Sequence, residues 1–193
     1  MGSTRVADLD ALIEAAGVTH VIPHREDPAV LEQLRDPRVL ARARELLAGR
    51  DKSRRGQAIL CIERIGYVLR DQETAELLLD FAWRTRDKYE RYTALLALAH
   101  CTPPAPVPSV PLLDLVRHDR RALPAAIDCL HLARHEDVEP VLLSLAADAD
   151  PMVLVHVARA LRHMRSDASL AALEGLLEHA STDVPSVALT SIA

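Results

Sequence analysis

Five residues of helix-capping type, Asp51, Asp87, Asp119, Asp150 and Ser181, each open a helix-periodic stretch, spaced 36, 32, 31 and 31 residues apart. A period of this size constrains the fold more than any local motif, because it means one supersecondary unit is copied and stacked. Seven positions after the caps stand Ala58, Ala94, Ala126, Val157 and Ala188. Ten positions on stand Cys61, Ala97, Cys129, Ala160 and Ser191. Eleven positions on stand Ile62, Leu98, Leu130, Leu161 and Ile192. Seven, ten and eleven steps share one helical face. Small residues there admit a neighbouring helix and the large one fills the remaining space. Cys61 and Cys129 hold a small-residue place, which predicts buried structural thiols.

Between these helices lie shorter apolar-periodic ones, "ETAELLLDFAW", "SVPLLDLVRH", "DVEPVLLSLAAD" and "DASLAALEGLLEH". The repeating unit is therefore a helical hairpin of about thirty residues. We expect one repeat domain over 1–193, with 1–35 as an N-terminal helical cap and 36–193 as repeats. "CTPPAPVPSVP" reads as a stiff, lengthened loop within it. Composition agrees. Half the chain (49%) is apolar, but it has one Phe and one Trp, too few aromatics for a β-sandwich. No apolar run is long enough to span a bilayer. The start has acidic residues where a secretory leader needs a basic and then an apolar segment. Three cysteines without a CxxC pair point to a reduced, cytoplasmic protein.

The second-helix pattern Asp-x-x-x-Arg-x-x-Ala-x-x-Ala-Leu resembles the HEAT-like repeats, including the short type named after phycobilisome lyases. "DKYERYTALLALA" matches it best, with Arg91 in the Arg place. Arg55 matches too, whereas Leu123 and Leu154 stand there in later units. The resemblance covers residues 36–193. It implies an all-α, right-handed α-α superhelix (a HEAT-like solenoid) of about five helical hairpins, with the second helices lining a concave groove. Such repeats serve many functions, so the architecture alone names none.

In that groove the positions opposite the core stripe matter. Read across the repeats, they give Tyr89, Tyr92, Leu96, Met152 and Val155 as apolar or aromatic groups, and Arg121, Asp128, His131, Arg159 and Arg162 as polar ones. His156 and His163 flank them. Tyr, Met and Arg are the residues of interface cores. Charge sorts the same way. Second helices, taken as 51–70, 84–100, 119–134 and 150–165, carry 15 basic and 7 acidic residues. First helices, taken as 71–83, 105–118, 135–149 and 166–180, carry 1 basic and 12 acidic. Helix-dipole matching acts at helix ends and cannot sort whole helices. A basic, partly apolar groove in a chain of net charge −5 predicts a non-catalytic scaffold holding a protein partner with an acidic surface.

Catalysis is poorly supported. The HEAT-like deoxyhypusine hydroxylases hold a di-iron site on several His-Glu pairs, and this chain has one, His135-Glu136, at the start of a first helix. No metal or other cofactor is expected. The alternative function is nucleic-acid binding, akin to the DNA alkylation repeat glycosylases, which use a basic face, aromatics and an Asp. Asp128 would take that place, but aromatics are few for holding an extruded base, and Asp128 is expected to pair with Arg121 or Arg159. Self-association is a third outcome, since "VPSVALTSIA" would expose Val184, Val187 and Ile192 in a C-terminal hairpin lacking a polar cap.

Overall fold

Residues 9–16, 28–147 and 150–193 are described by a computed structural model. Every regular element among them is helical. In chain order they are α1 (Leu9–Ala16), α2 (Pro28–Gln33), α3 (Pro37–Leu47), α4 (Lys52–Leu69), α5 (Gln72–Arg84) and α6 (Lys88–Ala99). Then come α7 (Ser109–His118), α8 (Leu123–Cys129), a 3-10 turn (Leu130–Leu132), α9 (His135–Leu145), α10 (Pro151–Leu161), α11 (Asp167–Leu176) and α12 (Asp183–Ile192). The architecture is all-α and built of helical hairpins, as the repeat requires.

The chain divides into two compact units, Met1–Ala105 and Pro106–Ala193, with the division inside the proline-rich connection. In the first unit α3 pairs with α4 and α5 with α6, and α4 packs on α6. Of the expected N-terminal cap, residues 1–8 and 17–27 lie outside the described residues. The described α1 lies on α3 and α4. Its Asp10 carboxylate accepts from Arg42 Nε at 2.6 Å and Arg54 Nη1 at 2.7 Å. In the second unit α7 pairs with α8, α9 with α10 and α11 with α12, and α10 packs on both α8 and α12.

The small-small-large stripe is the core. Ala58, Cys61 and Ile62 on α4 are fully buried, as are Ala94, Ala97 and Leu98 on α6. So are Ala126, Cys129 and Leu130 on α8 and its 3-10 extension, and Val157, Ala160 and Leu161 on α10. On α12 Ala188 is buried, while Ser191 and Ile192 are half-buried. Each large member of the stripe, such as Ile62, Leu98 or Leu161, contributes about 1.5–3 kcal/mol by its burial.

Three of the five expected caps hold. Asp51 accepts from Ser53 N and Arg54 N, Asp87 from Tyr89 N and Glu90 N, and Asp150 from Met152 N, each satisfying first-turn amides. The other two are corrected. α8 begins at Leu123 with Ala122 as its N-cap and no side-chain cap. Asp119 instead holds the preceding turn, accepting from Arg121 N at 3.0 Å and Ala122 N at 3.1 Å. Pro124, in the first turn of α8, has no N–H to satisfy. α12 starts after Thr182, again without a side-chain cap, so Ser181 stands one residue too early.

The Arg of the repeat pattern proves to be a fastening. Arg91 Nε donates to Ala82 O at 3.0 Å and its Nη2 donates to Thr85 O. Arg55 Nη1 donates to Gly49 O at 2.9 Å. Both ties meet main-chain carbonyls at the C-terminal end of the preceding helix, which has no intrahelical donors left. Leu123 and Leu154, in the same place, are buried apolar groups. One glycine is demanded by packing: a Cβ on Gly66 would lie 2.7 Å from Cys101 Sγ and 2.9 Å from Thr74 Cγ2.

Candidate macromolecule-binding surface

The sequence-derived surface residues fall into two groups, one in each unit. In the first unit Tyr89 and Tyr92 on α6 are 69% and 42% exposed, and Leu96 is half-buried. Tyr89 lines an open hollow of about 320 Å³ with Lys52, Ile59, Asp87 and Thr93. Lys88 Nζ stands 4.8 Å from the centre of its ring, within cation-π range. Three polar ties join α4 to α6 beside these residues. Lys52 pairs with Asp87, the Arg55 guanidinium with Glu90 at 2.8 Å, and His100 with Glu63. The ammonium of Lys52 holds the Asp87 carboxyl below its usual range, and Asp87 in turn raises Lys52.

In the second unit Asp128 is a hub. His156 Nδ1–H donates to Asp128 Oδ1 at 2.8 Å. His131 Nδ1–H donates to the main-chain oxygen of the same residue at 2.6 Å. The expected Asp128 pairing with Arg121 or Arg159 is thus corrected: α10 packs on α8 so that an imidazole, not a guanidinium, meets the carboxylate. His131 then stacks on His163, ring centres 4.6 Å apart and planes 25° off parallel. Burial pushes both imidazoles below their ordinary value, and Arg162 adds to the effect on each. His163, also facing His131 and Arg165, is pushed down to about 4. Around them Arg121, Arg159, Arg162 and Met152 are exposed, Met152 by 62%, while Val155 is half-buried.

Sequence reasoning placed these histidines on the surface without pairing them. The signal was available. Twelve or thirteen positions after the first four caps stand Glu63, His100, His131 and His163. Adjacent hairpins bring equivalent rows together, so Glu63 meets His100 in one unit and His131 meets His163 in the other.

Other candidate chemistry is quiet. The thiols of Cys61, Cys101 and Cys129 are buried, and desolvation pushes Cys61 and Cys101 up to about 12, far from the thiolate form. Among the described residues no group of three His, Cys, Asp or Glu side chains is arranged to hold a metal ion. No described helix is long and apolar enough to cross a membrane. The expected exposure of Val184 is corrected: it is fully buried, because α12 packs on α10 and α11. Val187 and Ile192 are half-buried, and the exposed apolar side chains of this hairpin are Leu170 and Leu189.

Residues 110–193 match the family model for HEAT repeats. This stretch of the second unit is thus similar to HEAT repeats. No curated protein matches the chain. A solved crystal structure described as an engineered protein resembles it with a TM-score of 0.61 at 18% identity. That likeness covers 95% of this chain and 87% of the other and bears on fold alone. HEAT repeats generally mediate protein interaction.

Proposed function

We propose that the chain is a non-catalytic scaffold whose second-helix face holds a protein partner with an acidic, partly apolar surface. The observation that carries this reading is the make-up of the α8–α10 face. Arg121, Arg159, Arg162 and Met152 are exposed there, and its one mid-helix carboxylate, Asp128, is engaged by His156. Exposed Arg and Met beside a half-buried Val offer both charge and apolar anchorage. Tyr89, Tyr92 and Leu96 offer the same mixture on α6 of the first unit. The common stripe on both sides of residue 105 supports reading 1–193 as one repeat domain, with 1–35 as its cap.

Affinity purification with wild type beside Arg159→Glu and Tyr92→Ala/Leu96→Ala variants tests this reading. We expect one partner, acidic on its bound surface, to be retained by wild type and lost by both variants. Partner binding that survives both variants would place the surface elsewhere. Nucleic-acid binding is the competing outcome. It would show as affinity for a DNA or RNA fragment whose logarithm falls steeply with the logarithm of salt, about 0.9 per phosphate contact for duplex DNA. A homodimer through Leu170 and Leu189 would show as a concentration-dependent mass in light scattering.

A further inference from the structure

The stacked pair His131–His163 sits where the C-terminal ends of two second helices meet, with Arg162 beside it and Asp128 orienting His131 through its main-chain oxygen. The two imidazoles stand face to face with a guanidinium at their side, and the nearby carboxylate, Asp128, is already engaged by His156. Stacked neutral rings tolerate this arrangement. Stacked cations do not, unless an anion joins them. We propose that this pair, with Arg162, is the receptor for a carboxylate of an acidic protein segment, and that docking is accompanied by proton uptake at the pair. This rests on the acidic-partner reading above and assigns it a place and a linked proton.

The surroundings favour a neutral pair when the surface is empty. From α8 comes Asp128, from α9 His135, from α10 Arg162 and from the turn after it Arg165. All but Asp128 disfavour the charged imidazoles, as does burial. The packed elements also carry Asp114, Arg117 and His118 on α7, Glu136, Asp137 and Glu139 on α9, His156 and Arg159 on α10, Asp167 and Glu174 on α11, and Asp183 on α12. A carboxylate arriving within contact distance reverses the balance, because an opposite charge favours the protonated ring. Linkage then requires that binding tighten as pH falls towards the range in which the pair titrates. The occupant is an acidic peptide rather than a polyphosphate because the face combines few cations with exposed Met152 and half-buried Val155.

The probe is a fluorescein-labelled deca-aspartate peptide, ionised throughout pH 5.5–8, read by anisotropy with the full chain at low salt. We expect its affinity to rise about tenfold from pH 7.5 to pH 5.5. Calorimetry at pH 6 in two buffers of different ionisation enthalpy should show net proton uptake. His163→Gln should abolish the pH dependence and cost about tenfold in affinity at pH 5.5. Arg159→Gln should weaken binding at every pH. His131→Gln is the second variant, and a urea midpoint at each pH checks that all of them remain folded. Affinity that does not change with pH, or a pH dependence that survives in both His variants, overturns the proton-linked receptor. If in that case Arg159→Gln still weakens binding, the acidic-partner reading stands without it. Failure of wild type to bind the peptide at any pH, or tighter binding of an oligothymidylate of equal length at equal salt, overturns both.

Discussion

Two interfaces between second helices, α4 with α6 and α8 with α10, solve one problem with different chemistry. Both bury the same small-small-large stripe, and both need polar ties at the margin of that stripe. In the first unit these include the ion pairs Lys52–Asp87 and Arg55–Glu90, and Glu63–His100, in which an imidazole faces a carboxylate. In the second unit they are Asp128–His156 and the His131–His163 stack, so every tie contains an imidazole. The lesson is that the repeat specifies the apolar stripe and leaves the margin open. One margin is fixed mostly by Lys and Arg paired with carboxylates, the other by ties that all contain an imidazole.

The sharpest way to break this contrast is Glu90→Ala. It strands the half-buried Arg55 and should destabilise the first unit by about 3 kcal/mol in urea unfolding. A loss under about 1 kcal/mol would mean that the Gly49 carbonyl suffices for Arg55.

Next comes acid. His163 is pushed down to about 4 in the folded chain against about 6.5 in an unfolded one. Between those values the unfolded chain holds a proton that the native chain does not, so stability falls as pH drops through that window. Asp87, lowered by Lys52, works at lower pH. Its contribution is present above the ordinary carboxylate range near about 4 and is lost below it. Hydrogen exchange at pH 7.5 and pH 5 should therefore show the second unit loosening while the first holds. Equal loosening of both units would remove the contrast.

Asp128→Asn should weaken the second unit by about 1 kcal/mol, the worth of one hydrogen bond with a charged acceptor reduced to a neutral one, and an unchanged urea midpoint would demote the hub. The smallest effect belongs to Arg84→Ala. It removes an exposed pair with Asp80 and should change stability by no more than about 0.5 kcal/mol. A larger change would show that solvated pairs also matter to the first unit.

Much of this was legible in the sequence because repetition multiplies weak signals. A single Ala at one position says little, but Ala58, Ala94 and Ala126 at one register announce a buried face. The caps were less legible at Asp119 and Ser181. There the start of the helix is set by Pro124 and by the turn before it, or by a backbone N-cap at Thr182, rather than by the nearest capping side chain. The partner of Asp128 was illegible for a different reason. Charge alone favours Arg121 or Arg159, but the crossing of α8 and α10 decides which side chain reaches, and it is His156. The histidine stack lay within reach, since its two members occupy almost the same register in consecutive hairpins.

The two arginine fastenings have a mechanical meaning. Arg55 and Arg91 clamp the corners at which one helix turns back into the next, each through carbonyls of the preceding helix or its turn. At that place α8 and α10 instead have the buried Leu123 and Leu154, whose apolar contact is non-directional. Under tension the first unit should therefore behave as a stiff frame with braced joints, and the second as a spring whose joints give first.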